Sequence, residues 1–345
     1  MIEFNKEYFY KVAKEIFECD SPTGYTKKVI DLIKTYVDSY GYSSKILNNG
    51  ALEVSIEGLD HSKTVATSAH VDTLGLMVRS IKGDGHLALT TLGGPITATL
   101  DGEYAKIYTR EGKVYRGTIL STSPSTHVYK DANTKSRDID NLEVRLDEEV
   151  FSKDDVLKLG INNGDIVCYD TKFELTESGF LKTRFIDDKA SAVILLLLLE
   201  YVSKNKLSFK YDTKIYFVVY EEVGHGASMV SKDISEFVTL DMGCVGLDLE
   251  GNEYACSICA KDSSGPYDYE LTTRLIELAK ANNIVYTIDI FPYYGSDIGA
   301  ASRAGVDFKG ALVGTGVSAS HGMERTHLKG IVNTLKLIYL YLINE

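Results

Sequence analysis

Long apolar runs, a paired set of cysteines and a basic surplus are all missing from this sequence. The longest aliphatic run, Ala192 to Leu199, is far too short to span a bilayer. The opening residues, MIEFNKEYFYKVAKEIFECD, carry acids throughout and no apolar core of a leader, so no secretory signal is expected. Five cysteines (Cys19, Cys168, Cys244, Cys256 and Cys259) are an odd number at irregular spacing. That excludes a disulfide framework and points to a reduced, cytoplasmic protein. Cys256 and Cys259 form one C-x-x-C, but no further ligands follow to complete a structural zinc site, so they read as strand cysteines. With 49 acidic against 37 basic residues the net charge is -12. Nucleic acid and anionic membranes are therefore disfavoured as partners, because phosphate binding needs a basic face. There is no G-x-S-x-G nucleophile elbow. The Gly-rich TLGGPITATLDG lacks a phosphate-loop lysine and reads as turn chemistry.

What is present is an α/β pattern with an interruption. The 345 residues are long for one core and suggest two domains. Phe4 to Phe17 and Tyr25 to Tyr40 have helical spacing, with Ser21, Pro22 and Thr23 marking the turn between them and Gly41 ending the second helix. Strands follow at ALEVSIEG and TVATSAHVDTLGLMVRSI. From about Gly75 to Thr183, short β-type segments alternate with Gly, Asp and Asn, as in a small barrel or sandwich, with no long amphipathic helix. SPSTHVYKDANTKSRDIDN inside it reads as loop or disorder. After Arg184, helix and strand patterns alternate to the end. The expected architecture is an α/β/α catalytic domain from residues 1–74 and 184–345, interrupted by a β-barrel-like insert at 75–183. No internal repeat or low-complexity tract appears.

Polar groups gather at the ends of the apolar runs. His70 and Asp72 sit in SAHVDTLG, two apart and so on one side of a strand. There the carboxylate can hold the base or orient a neighbouring ligand while the histidine binds metal. Asp187 and Asp188 open a helix in RFIDDKAS. The run from Tyr216 to Tyr220 stops on Glu221 and Glu222. Asp241 follows FVTL, and His321 lies in SASHGMERTH. His70, Asp187, Glu222, Asp241 and His321 make a coherent ligand set for two divalent cations. Their mixed nitrogen and oxygen donors suit zinc, cobalt or manganese better than calcium. Three carboxylates against two cations leave a positive remainder that suits hydroxide, and Glu221 stays free to carry the proton.

Each feature alone has an ordinary explanation: a helix N-cap for Asp187–Asp188, a solvated strand end for the glutamates, a loop for His321. Their joint order carries the metal reading. Asp248 competes with Asp241, which directly ends a strand. His225 reads as a loop near the site and His327 as a structural partner of the last helix. His61, His86 and His127 fall in loops or the insert. Asp188 reads as a cap or support, and Asp297 as a supporting or substrate-facing carboxylate.

The segments AHVDTLGLMV, FIDDKAS, YEEVGHGAS, LDMG, AKDSSGPYDYE, YYGSDIGAASRAG and SHGMERTH span nearly the whole chain in order. In this combination the chain resembles the dinuclear-metal aminopeptidases of the glutamyl aminopeptidase and tetrahedral (TET) type, many of which carry an older endoglucanase label. The resemblance implies that His70 and Asp241 hold one metal, Glu222 and His321 the other, and Asp187 bridges them. Glu221 would be the general base and Asp72 its support near His70. It further implies short peptide substrates with a free amino terminus, and a homo-oligomer, dimer to dodecamer, in which the insert makes many contacts. Two departures leave substrate preference open: Lys189 stands where many relatives have Arg, and VSASHG lacks a tyrosine common before the last histidine. The competing readings are a related amidohydrolase (carboxypeptidase or deacylase), a metal-independent glycoside hydrolase with paired carboxylates, and a non-catalytic scaffold.

Overall fold

A computed structural model describes residues 2–344. The chain divides into two compact units: everything up to Thr73 together with everything from Phe173 onward, and Leu74–Lys172 between them. The second crossing falls eleven residues before the 183/184 boundary expected from sequence. The reason is pairing. Strands Glu174–Leu175 and Phe180–Thr183 join Glu324–His327 in a three-stranded sheet that belongs to the larger unit.

The larger unit is built on a ten-stranded sheet. At its centre four strands lie side by side and parallel, in the order Tyr211–Val218, Asp60–His70, Ile234–Leu240 and Lys309–Val317. Strands buried on both faces read as continuous apolar runs, and Ile215 to Val219 are fully buried. Among the described residues, five helices of thirteen or more residues accompany the sheet: Lys6–Glu18, Lys27–Ser39, Ile186–Lys204, Tyr269–Ala281 and Leu328–Asn344. The first is capped by Asn5, whose Oδ1 accepts the Tyr8 N–H at 3.0 Å, and it buries Phe9, Val12, Ala13, Ile16 and Phe17 on one face. Ile186–Lys204 is different. Its aliphatic stretch is buried all round, as an enclosed helix requires, and this places its first turn in the interior. The strand pattern that runs to Tyr220 ends as a strand at Val218. Tyr220 then takes a left-handed conformation (φ +68), which turns the chain before Glu221.

The smaller unit is a closed six-stranded antiparallel barrel: Gly75–Ile81, Leu87–Leu92, Leu142–Leu146, Val114–Ser121, Tyr104–Tyr108 and Ile166–Tyr169, the last pairing back to the first. Closure leaves no free sheet edge. Gly117 is needed there, because a Cβ would lie 2.6 Å from the Arg145 carbonyl oxygen of the neighbouring strand. The polar stretch 123–141 is an ordered loop. Arg137 holds Asp101 at 2.7 Å and the Ala132 carbonyl at 2.9 Å, and Lys135 donates to Ser123. A short helix, Lys153–Leu159, was not anticipated in the insert. Ser152 caps it and Gly160, at φ +88, ends it. Among the described residues no helix is long and apolar enough to cross a membrane.

Candidate active site

The four central strands run parallel, so their carboxyl ends share one edge of the sheet, where α/β proteins bind ligands. His70 is the last residue of its strand, Asp241 directly follows the next, Glu221 and Glu222 follow the strand ending at Val218, and His321 follows Lys309–Val317. Residues distant in sequence thereby become neighbours in strand order. Asp187 and Asp188 reach the same place from the first turn of the enclosed helix.

The contacts are close. His70 Nε2 lies 3.0 Å from Asp187 Oδ1, and His321 Nε2 lies 3.5 Å from Asp187 Oδ2. Each Asp187 oxygen thus faces a different imidazole. Glu221 Oε2 is 3.8 Å from His70 Nε2, and Glu222 Oε2 is 3.7 Å from His321 Nε2. One ligand atom each from His70, Asp187 and Glu222 lie within 4.8 Å of one another, as do one each from His70, Glu221 and Asp241. The structure therefore brings together all five sequence-predicted ligands and Glu221. Asp248 is exposed and outside the cluster. His225 stacks on Tyr220, and His327 Nε2 donates to the Ser178 carbonyl while its Nδ1 accepts the Lys329 N–H.

Supporting contacts fix the orientations. His70 Nδ1 donates to the Asp72 carbonyl oxygen at 3.0 Å, which turns Nε2 toward Asp187. The Asp72 carboxylate is fully buried and accepts the N–H groups of Glu221 (3.2 Å) and Glu222 (3.4 Å). Asp188 Oδ2 accepts the His70 N–H at 3.2 Å, and Asp297 Oδ1 accepts the Ala227 N–H at 2.9 Å. Glu324 was not singled out in the sequence. Its Oε2 accepts the Asp187 N–H at 3.1 Å and its Oε1 the His321 N–H at 3.0 Å. The only signal was its place three residues after His321.

The electrostatics are those of a cluster short of positive charge. Burial pushes the carboxyls of Glu221 and Glu222 well above the ordinary range, with Asp241 and Asp187 respectively adding repulsion. Burial, then Asp187, lifts Asp241 to about 8. Burial acts the same way on Asp187, but hydrogen bonding to His321 and His70 outweighs it and holds the carboxyl below the ordinary range. Glu222 Oε1 is buried without a hydrogen-bond partner. A buried, unpartnered carboxylate oxygen among imidazole nitrogens and further carboxylates fits divalent cations that accept mixed nitrogen and oxygen ligands. The cluster opens into a cleft of about 250 Å³, walled further by Met242, Tyr293, Tyr294, Ser296 and Arg303.

Comparison with known proteins gives the chain's relatives. The family model for M42 glutamyl aminopeptidases matches residues 50–337. YhfE of Bacillus subtilis (strain 168), named as an aminopeptidase, is 42% identical over 332 residues, 96% of each chain. A TET aminopeptidase from the marine sediment archaeon Thaumarchaeota archaeon SCGC AB-539-E09 superposes with a TM-score of 0.88 at 18% identity, covering 98% of this chain and 97% of that one. The Pyrococcus horikoshii TET1 peptidase, described as assembling into a tetrahedron or a large octahedral shell, gives 0.85 at 21% identity over 98% and 100%. The two structures speak to the fold.

Proposed function

On the premise that the chain belongs to the M42 glutamyl aminopeptidase family and is a peptidase hydrolase, we propose that it removes N-terminal residues from short peptides using two divalent cations. His70 and Asp241 would hold one cation and Glu222 and His321 the other, with Asp187 available to both. The observation that carries this reading is the Asp187 carboxylate, one oxygen toward each imidazole.

Bound there, zinc, cobalt or manganese supplies Lewis-acid polarisation of a carbonyl and a lowered pKa for water. The chain does the rest. Glu221 has a side chain 14% exposed, against 4% for Glu222. Both line the cleft and Glu221 is the more exposed; it takes the proton from the attacking water and returns it to the leaving amine. Asp72 holds the main-chain N–H of both glutamates, which keeps the base at a fixed distance from His70. The insert serves as the oligomerisation domain of a homo-oligomer, as the assemblies named for the TET1 peptidase suggest.

A panel of aminoacyl-p-nitroanilides with each added metal tests the reading. Activity is expected on free-amine substrates and not on N-acylated amino acids, and EDTA should abolish it. Glu221→Gln should retain its metal, measured by elemental analysis, while kcat falls about 10²–10⁴-fold. Metal loss in Glu221→Gln would exchange the roles of the two glutamates. Activity that survives EDTA would sink the metallopeptidase reading. Light scattering on the eluting protein reports the oligomer.

A further inference from the structure

The turn between the first two helices is bonded into the site. Pro22 to Tyr25 form a tight turn closed by the Tyr25 N–H on the Pro22 carbonyl at 2.7 Å. Its third residue, Gly24, sits at φ +86, which the type II turn demands and glycine supplies. This turn is laid against the segment after His70. The Thr23 N–H donates to the Thr73 carbonyl at 3.0 Å, the Thr73 N–H to the Ser21 carbonyl at 2.9 Å, and the Ser21 hydroxyl to the Val71 carbonyl at 2.8 Å. From the other side Lys189 Nζ, fully buried, donates to the Cys19 carbonyl at 2.6 Å. The turn is therefore anchored through Ser21 and Thr23 to the segment after His70 and, through Cys19, to Lys189, and the Thr23 hydroxyl is delivered to Asp72 Oδ2 at 2.7 Å.

That bond is shorter than the two main-chain hydrogen bonds the Asp72 carboxylate accepts. The others are the N–H groups of Glu221 (3.2 Å, to Oδ1) and Glu222 (3.4 Å, to Oδ2). Without the hydroxyl, Oδ2 would keep only the longest contact. A fully buried carboxylate so poorly supported would rotate or lose its hold on the turn that carries both glutamates. We infer that Thr23 is a positioning residue for the reaction: its hydroxyl fixes the Asp72 carboxylate, and Asp72 in turn fixes the main chain of Glu221 and Glu222. The inference rests on the assignment of Glu221 as general base given above.

The test is Thr23→Val, which keeps shape and removes the hydroxyl, with Thr23→Ala as a smaller replacement and Thr23→Ser as the conservative one. In Val and Ala, kcat on an aminoacyl-p-nitroanilide should fall about 10–100-fold, with KM changed less than about threefold, since the loss lies in the transition state. Thr23→Ser should restore kcat. Amide hydrogen exchange gives a readout independent of turnover. In chelator-treated protein, the peptide spanning residues 219–225 should exchange faster in Val and Ala, and at the wild-type rate in Ser. Wild-type kcat and exchange in Thr23→Val, or a serine variant as impaired as valine, would overturn the role of the hydroxyl. A wild-type protein inactive on every free-amine substrate would overturn the proposed function instead. The exchange comparison then still decides whether Thr23 holds the glutamate turn.

Discussion

Asp187 and Glu324 divide one task between side chain and main chain. Asp187 presents its two oxygens to His70 and His321, while Glu324 accepts the backbone N–H of Asp187 and of His321. One buried carboxylate therefore ties together two proposed ligands that lie 134 positions apart in sequence, at 187 and 321. In Glu324→Gln only one acceptor oxygen remains, and the amide NH₂ would face an N–H donor. Leaving such a donor unpaired costs about 1–3 kcal/mol. Affinity for zinc, titrated into chelator-stripped protein, should drop about 10–100-fold; unchanged affinity would remove Glu324 from the site's support. The ligand candidates were legible in the sequence through their joint order: His70, Glu222 and Asp241 at or just past the ends of apolar runs, Asp187 at a helix entrance and His321 in the loop after the last strand. Glu324 and Thr23 were not, since their partners are a main-chain N–H and a remote carboxylate, and neither contact leaves a spacing pattern.

At the scale of elements, the alternation of apolar runs and helical spacing after Arg184 was readable, because parallel strands and an enclosed helix must be apolar throughout. The insert boundary was less readable. Strand Phe180–Thr183 has the same texture as the barrel strands, and only its pairing with Glu324–His327 assigns it to the larger unit. A polar residue inside a core strand was equally silent. Glu236, buried on Ile234–Leu240, joins Lys63 of the neighbouring strand (2.8 Å), Arg274 of helix Tyr269–Ala281 (2.6 Å) and the hydroxyl of Tyr341 on the last helix (3.0 Å). Burial by itself would raise the Glu236 carboxyl, but hydrogen bonds from Lys63 and Arg274 outweigh it and hold it below its ordinary 4.5. The sign follows. A carboxyl depressed in the folded state adds stability above pH 4.5, and that stability is lost as pH falls through the lower folded value. Glu236→Ala, which strands two cations, should destabilise by about 3 kcal/mol in urea unfolding at neutral pH. Glu236→Gln should flatten the decline of stability on acidification below about pH 4.5. An acid slope identical to wild type would place that linkage elsewhere.

For the whole molecule, two bound cations would change the stability of the fold independently of catalysis. Glu221, Glu222, Asp187, Asp188 and Asp241 crowd one edge of the sheet, in or beside the interior, facing two imidazoles. The positive partners lying against these carboxylates are the imidazoles of His70 and His321, and Arg303 stands on the cleft wall. At neutral pH the folded state must either hold the raised carboxyls of Glu221, Glu222, Asp188 and Asp241 charged against one another or take up protons on them, a cost that unfolding would relieve and that a cation binding only the folded state removes. At a free cation concentration 1,000 times Kd the gain is about 4 kcal/mol. The melting temperature should thus fall by several degrees when EDTA strips the protein, and return with stoichiometric zinc or cobalt. Sodium chloride should not substitute, because screening acts weakly on buried charge. Asp187→Ala, which removes the shared ligand, should melt at the same temperature with and without zinc. If the wild type, shown by elemental analysis to be metal-free, melts where the loaded protein does, the carboxylates are compensated from within the chain and the two-cation site is wrong.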